Sequence, residues 1–507
     1  MKIHGYDIQQ GLQTVKGRST YPTSHGIEDQ SVVHDQDTAQ DLDKGSQLYN
    51  DRAAKAMAGF SVLLDSIDYA GLHRAVMGHP LLAPDLPVSR WRAMQLPPPE
   101  RNIIMGYGFG DPIVEGWRDP RSKAVADELV ESGMASVDDQ GWHTDGWVVV
   151  PYDGGYLLVD RFVPYGGSDT RVYLGNDSLI LANMIRRRRG TRMLDLGAGS
   201  GIYGLLCAGP DSLVTLTDID CRAVDFCRLN EALNRATGRV DHFVRVLQGD
   251  IFEPVKGERF DLVVSLPPYV PSLSEKQLYM FADGGENGIS VIRRIIEEVP
   301  SYLNEQGELI ILVQAMLDQE GKPLFYESLE YSERADLDIH MTLFDLHYLW
   351  PYAVELAREL VGISGGDQGV QQKMAEDMVR SWRSNGAYCV GSIILRAERN
   401  RSNHQITTLH AEPIWSYYDV PLLDRVRLVQ SSDHFTLTAT DGRMTTLDPS
   451  MFKLIEQFDG SRTLYDAVSL AWPKSSPDAG MSLLDVAMEK CAELEKAGML
   501  SRGRCRG

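Results

Sequence analysis

Gly197, Gly199 and Gly201 alternate with Ala198 and Ser200 directly after the run Met193-Leu194-Asp195-Leu196, which is apolar except for one carboxylate. Glycine permits tight turns and lets a ligand lie close against the backbone. A strand, a glycine turn and a helix in that order place a ligand site at the carboxyl end of the strand. Two chemistries fit the turn. Gly199, Gly201 and Gly204 satisfy G-x-G-x-x-G, and Asp218 follows 19 residues after Gly199, as a dinucleotide site requires. Asp195 shifts the balance, because a carboxylate at the base of the turn suits a cation better than a pyrophosphate. S-adenosylmethionine carries an ammonium and a sulfonium and no phosphate.

Further carboxylates recur downstream. Leu216-Thr217-Asp218-Ile219-Asp220 and Gln248-Gly249-Asp250-Ile251-Phe252 each end an apolar run on an acid. An ionised carboxylate only accepts hydrogen bonds, so it suits ribose O–H and adenine N–H donors. Ser265-Leu266-Pro267-Pro268-Tyr269-Val270-Pro271 closes a fourth run, and Phe281-Ala282-Asp283-Gly284-Gly285-Glu286-Asn287-Gly288 lies beyond it. Tyr269, Asp283, Glu286 and His347 are the candidates for a general base. Glu286 or Asp283 could instead pair with a cationic substrate or cap a helix.

These residues need a scaffold of buried strands alternating with helices. Apolar runs at 192–196, 212–217, 243–248, 260–265, 308–314, 338–343 and 388–396 give seven strands. The fold class is α/β, with an open, Rossmann-like sheet over residues 166–410. The stretch 344–387 is helical in pattern and too long for a plain loop, so it reads as a cap over the site. Residues 1–50 are polar and form a flexible arm. Residues 51–165 hold helices and then a hairpin turning at Asp153-Gly154-Gly155, a winged-helix-like accessory unit. Residues 411–507 hold a hairpin at 426–439 followed by three helices, a second such unit.

The motifs together resemble the class I S-adenosylmethionine-dependent methyltransferases over roughly 110 residues. The resemblance implies that Asp195, Gly197, Gly199 and Gly201 hold the cofactor. It further implies that Asp218 takes the ribose hydroxyls, that Asp250 takes the adenine amine, and that Ile251 and Leu266 line the same pocket. Leu266-Pro267-Pro268-Tyr269 is similar to the Asn-Pro-Pro-Tyr motif of enzymes that methylate planar nitrogens. In that motif the Asn oxygen and the adjoining Pro carbonyl, here that of Pro267, grip the target nitrogen, and the Tyr ring packs on its plane. With Val172-Tyr173-Leu174-Gly175-Asn176-Asp177-Ser178, the likeness extends to the subgroup of release-factor glutamine and ribosomal-protein methyltransferases. Leu266 departs from it, since leucine accepts no hydrogen bond. The resemblance implies an N-methyltransferase, and Leu266 together with the flanking units turns the expectation towards a small molecule of specialised metabolism. A peptide or protein acceptor guided by the terminal unit, or a non-catalytic scaffold, stays open.

The chain has 507 residues, 50 basic against 71 acidic, and a net charge of −21. That acidity opposes broad binding to nucleic acid, which takes clustered cations, and Arg186–Arg189 reads as a solvated helix end. His73 and His79 have no metal-like partners, and the six cysteines form no CxxC pair. No metal, no membrane span and a cytoplasmic location are therefore expected. The runs Leu447–Phe452 and Phe458–Thr463 are similar to small winged-helix domains that recognise peptides, which implies peptide binding or a homodimer. Leu346-His347-Tyr348-Leu349-Trp350 either lines a substrate pocket or packs the cap.

Overall fold

The computed structural model describes residues 48–77, 87–113, 120–161, 170–271, 282–333, 337–364, 368–399 and 406–410. It also describes 420–503, with gaps at 424–425, 431–434, 441, 459–461 and 474–476, and the short pairs 2–3 and 6–7. Nearly all of the expected polar arm, as well as His79, Phe281 and the Glu286 side chain, lies outside the described residues. Lys44–Ala411 make one compact unit, and Glu412–Gly507 group with Met1–Asp43 in another.

The larger unit begins with α1 (Asp51–Ser66), capped by the Asn50 side chain, which accepts from Ala53 N at 2.8 Å. Its buried face carries Ala53, Met57, Phe60 and Leu64, at helical spacing. Helices α2 (Tyr69–Met77), α3 (Pro87–Met94), α4 (Pro98–Ile103) and α5 (Pro120–Glu131) follow. Two hairpins come next: β1 (Ser136–Asp138) with β2 (Gly141–His143), and β3 (Trp147–Tyr152) with β4 (Gly155–Asp160). The second turns at Asp153 and Gly154, both with positive φ, as a two-residue turn between twisted strands requires.

The sheet is built from β5 (Arg192–Leu196), β6 (Leu213–Asp218), β7 (Phe243–Gln248), β8 (Phe260–Ser265), β9 (Leu303–Leu317), β10 (Leu337–Tyr348), β11 (Cys389–Arg399) and β12 (Ile406–His410). Their order is β12-β10-β11-β9-β8-β5-β6-β7. The five strands from β7 to β9 run parallel, and β11 lies antiparallel between β9 and β10. All seven expected strands are present. An eighth, β12, joins the edge beside β10; its sequence Ile-Thr-Thr-Leu-His has no continuous apolar run, because an edge strand need not be buried on both faces.

Helices α6 (Asn176–Met184), α7 (Ile202–Leu206), α8 (Cys221–Arg235), α9 (Ser290–Glu298) and α10 (Tyr326–Glu333) connect the strands. The helical stretch expected over 344–387 starts later, because β10 pairs with β11 as far as Tyr348 and absorbs residues 344–348. Helices α11 (Leu349–Ser364) and α12 (Gln368–Ser384) then close on each other through Leu349, Ala353 and Ala357 against Ala375, Met378 and Trp382. Val270, just past Tyr269, packs against the same cluster.

Helix α8 also faces the N-terminal elements. Phe226, Leu229 and Leu233 share one core with Phe60, Tyr107 and Trp147. In the smaller unit β13 (Val420–Leu423) pairs with β17 (Leu500–Gly503), and β14 (Val426–Gln430), β15 (Phe435–Ala439) and β16 (Met444–Leu447) form a three-stranded sheet. Helices α13 (Pro449–Ile455), α14 (Leu464–Ala471) and α15 (Pro477–Lys496) complete it. The five described cysteines are buried free thiols. Among the described residues there is no cluster fit to hold a metal, and no helix is long and apolar enough to cross a membrane.

Phe60 is fully buried, edge-on to Tyr107 at 4.9 Å and to Trp147 at 5.9 Å. Phe60→Ala should cost about 3–5 kcal/mol. Thermal melts following α8 and the hairpin strands should show both destabilised together, since they share that core.

Candidate functional site

The glycine turn leaves β5 with φ of 69° at Gly197, 53° at Gly199 and 76° at Gly201. The three glycines differ in what they face. A Cβ at Gly197 or Gly199 would meet nothing within 4 Å, so these two border open space. One at Gly201 would lie 2.9 Å from Leu216 and 3.0 Å from Leu205, so this glycine lets the helix sit tightly on the sheet. Amides of Gly197 and Ala198 both donate to Thr217 O at 2.9 Å, which locks the turn to the end of β6.

Asp195 lies beneath the turn with no exposed surface. Its Oδ2 accepts from Gly204 N at 2.8 Å, while its Oδ1 has no hydrogen-bond partner. Burial pushes its pKa up to about 8; the Gly204 hydrogen bond opposes the rise and the Asp218 charge adds to it. Once ionised, a buried carboxylate oxygen left unpaired under an open turn would favour a cation and disfavour a diphosphate.

Asp218 ends β6, where its carboxylate accepts from Gly199 N at 2.8 Å and from Asp220 N at 2.9 Å. Burial raises its pKa to about 6 against these hydrogen bonds. Asp220 instead caps α8, accepting from Arg222 N, and pairs with Arg171 at 2.9 Å. Asp250 is partly exposed and accepts from Arg294 Nη1 at 2.9 Å. Ile251 beside it holds a positive φ of 46°, an uncommon conformation for a β-branched residue.

The acceptor loop leaves β8 with Ser265 Oγ donating to Leu196 O at 2.8 Å. Leu266 is half-buried and Pro267 buried. Tyr269 OH donates to Asp177 Oδ2 at 2.9 Å, in the first turn of α6. Burial, with Asp177 next, raises the Tyr269 pKa well above its usual value, so the ring is a hydrogen-bonded wall and no phenolate base. Val270 pairs with Asp283 across an isolated bridge, and Asp283 Oδ1 accepts from Gly285 N at 2.9 Å. Gly288, at φ 70°, passes so close to Tyr269 O that a Cβ would lie 2.1 Å from it. Asp283 thus folds the segment that backs Tyr269. His347 Nε2 pairs with Asp345 at 3.3 Å.

Two residues escaped the sequence reading. Asp177 lies within the family-like segment 172–178, where the one local signal for it is a polar residue at a helix start. Gln314 is the one half-buried position among fully buried neighbours from Ile311 to Leu317, next along β9 from the stretch paired with β8. Tyr352 of α11 donates to its Oε1 at 3.3 Å.

A family model described as the methyltransferase small domain matches residues 170–335. This segment is a class I S-adenosylmethionine-dependent methyltransferase domain. The ribosomal protein uL3 glutamine methyltransferase of Francisella tularensis is 33% identical over 133 residues, covering 24% of the chain and 41% of that enzyme. The release factor glutamine methyltransferase of Aquifex aeolicus is 36% identical over 123 residues, covering 22% and 42%. The ribosomal RNA small subunit methyltransferase C of Haemophilus influenzae is 29% identical over 141 residues, covering 27% and 37%. The chain thus spans about two fifths of the length of these relatives.

Asp195 makes the methyltransferase domain's stability depend on pH. Its folded pKa of about 8 exceeds the roughly 3.9 of an unfolded Asp, so the folded state holds the extra proton between those values. The stability this proton confers is full below about pH 4 and is lost as pH rises through about 8. Asp195→Asn should flatten that part of the curve, measured by denaturant titration from pH 5 to 9. A slope unchanged by the substitution would mean that Asp195 ionises freely in the fold.

Proposed function

We propose that the protein is an S-adenosylmethionine-dependent N-methyltransferase whose acceptor nitrogen is held beside Pro267 and Tyr269, beneath the cap formed by α11 and α12. The observation that carries the reading is the unpaired buried oxygen of Asp195 under the open face of Gly197 and Gly199. Those residues fit an ammonium-bearing ligand. Asp218 would take the ribose hydroxyls and Asp250 the adenine amine, with Ile251 and Leu266 lining the pocket. The cofactor, when bound, supplies an electrophilic methyl group; the chain holds the acceptor in line with it. Such alignment is worth up to roughly 7–11 kcal/mol, and carbonyls of the Pro-Pro turn would face the positive charge that develops on the nitrogen.

The relatives named for glutamine side chains of a ribosomal protein and a release factor favour a peptide or protein acceptor. Leu266 favours a different one. Without a side-chain oxygen there, the second N–H of an amide would lose a hydrogen bond worth about 0.5–1.5 kcal/mol. A small-molecule nitrogen therefore remains the second reading, supported by that residue alone. We further propose a cytoplasmic location.

Calorimetry with S-adenosylmethionine should show binding by the native protein, and Asp218→Ala should weaken it about tenfold or more, the cost of a charged hydrogen bond at a buried site. Binding should also strengthen as pH rises from 6 towards 8, because the seat is a cation site only when Asp195 is ionised. Absence of any binding by the native protein would remove the enzyme reading. Leu266→Asn should raise methyl transfer to a glutamine-containing peptide, read by mass spectrometry; no change would show that the missing oxygen is irrelevant.

A further inference from the structure

Two asparagines on α8 clamp strand β4 as a neighbouring strand would. Asn234 Oδ1 accepts from Tyr156 N at 2.9 Å, and its Nδ2 donates to Tyr156 O at 2.7 Å. Asn230 Oδ1 accepts from Leu158 N at 2.7 Å, and its Nδ2 donates to Leu158 O at 3.0 Å. Both asparagines are fully buried. They stand four residues apart on one helical face, which matches the spacing of alternate residues along an extended strand. An amide offers both an acceptor and donors, so it can replace the missing edge of a ladder.

The two clamps differ in one respect. Asn234 spends its remaining donor within its own helix, on Asn230 O at 2.8 Å. Asn230 spends its own on Ser200 O at 2.9 Å, inside the glycine turn. Ser200 is nearly fully buried, and the preceding residue, Gly199, is the one whose amide holds Asp218. One side chain therefore joins the N-terminal hairpin to the cofactor turn.

The next turn of the same strand repeats the pattern with charge. Asp160, buried at the end of β4, accepts from the amides of Arg171 and Val172 at 2.9 Å each and from Arg222 Nε at 2.9 Å. Arg222 stands in the first turn of α8, and Arg171 reaches Asp220, two residues from Asp218. The chain from Val172 continues into α6 and Asp177, which holds Tyr269. The hairpin is thereby tied to the glycine turn, to the loop of the ribose-facing acid and to the support of the acceptor loop.

We propose that Asn230 is a positioning residue for cofactor binding, and that strand β4 of the N-terminal region is a working part of the cofactor site. The inference rests on the methyltransferase reading above. Removing the amide strands the Ser200 carbonyl in the protein interior, and the turn relaxes away from the geometry that faces the ligand.

The test compares Asn230→Ala, Asn230→Asp and Asn234→Ala, with S-adenosylmethionine as the titrant in calorimetry and urea melts on the same samples. Both alanine variants lose a clamp on β4 and should be destabilised, Asn230→Ala somewhat more because it also strands Ser200 O. Only Asn230→Ala should also weaken cofactor binding, by about tenfold, and speed amide hydrogen exchange at Gly199–Gly201. Asn230→Asp keeps the acceptor for Leu158 N but not the donor to Ser200, so it should bind as weakly as the alanine variant. Equal cofactor affinity for Asn230→Ala and Asn234→Ala, after correction for the folded fraction, would reduce Asn230 to a structural clamp and overturn the proposal. If Asn230→Ala does not fold, Asn230→Asp against Asn234→Ala decides in the same way. Failure of the native protein to bind S-adenosylmethionine would strike the methyltransferase reading instead, so the two failures are distinct.

Discussion

The desolvation of one carboxylate sets the terms for the rest of the site. Asp195 is fully buried, one oxygen is satisfied by Gly204 N, and the other has no partner. An unpaired buried oxygen costs about 1–3 kcal/mol, more when charged, and the protein carries this cost where β5 meets the glycine turn. The same turn must stay open above Gly197 and Gly199 yet closed below Gly201, where Leu216 and Leu205 leave no room for a side chain. A cation would offset the penalty of the ionised group, whereas a diphosphate would add charge of the wrong sign. The neighbouring charge of Asp218, which adds to the rise at Asp195, points the same way.

Holding such a site rigid falls largely to α8. Its one face lies against the sheet, with Cys227 beside Leu216 and Gly201. Its other face shares a core with Phe60, Tyr107 and Trp147. A helix packed on both sides cannot shift to suit one layer without disturbing the other, because cores at native density transmit small displacements. This explains why the N-terminal elements and the sheet fall in one compact unit, although their sequences separate cleanly into helices with hairpins and alternating strands.

What could be read from the sequence follows from which signals are local. The strands inside the sheet announced themselves because strands covered on both faces are apolar along their length, and the glycine turn because its φ angles exclude most other residues. The helical stretch starts later than its pattern suggests because Asp345, at a bulge in β10, and the polar His347, paired with Val390, interrupt the apolar pattern of the strand. Strand β12 was missed because its alternation suits an edge. Among site residues, Asp195 and Asp218 stand next to the glycines or at a strand end and were visible. Asp177, Gln314 and Asn230 were not, since their partners lie 92, 38 and 30 residues away. A side chain whose role is to join distant segments leaves no periodic trace.

The acceptor side follows from the same economy of hydrogen bonds. In a Pro-Pro-Tyr loop preceded by leucine, the remaining polar groups are backbone carbonyls, and these accept from any N–H without distinguishing an amide from an amine. Discrimination must then come from the walls. Tyr269 is fixed by Asp177, and its rigidity is enforced from behind by Gly288, where even a methyl group would strike the Tyr269 carbonyl. Separately, Tyr352 of α11 donates to Gln314, the one polar side chain in the buried stretch of β9 beyond its pairing with β8. On the proposed function, a ring held by Asp177 and an amide shared with α11 would select an acceptor by shape. Leucine in place of a side-chain oxygen would, on that proposed function, leave specificity to the walls and to the helices α11 and α12, the elements least like a bare methyltransferase sheet.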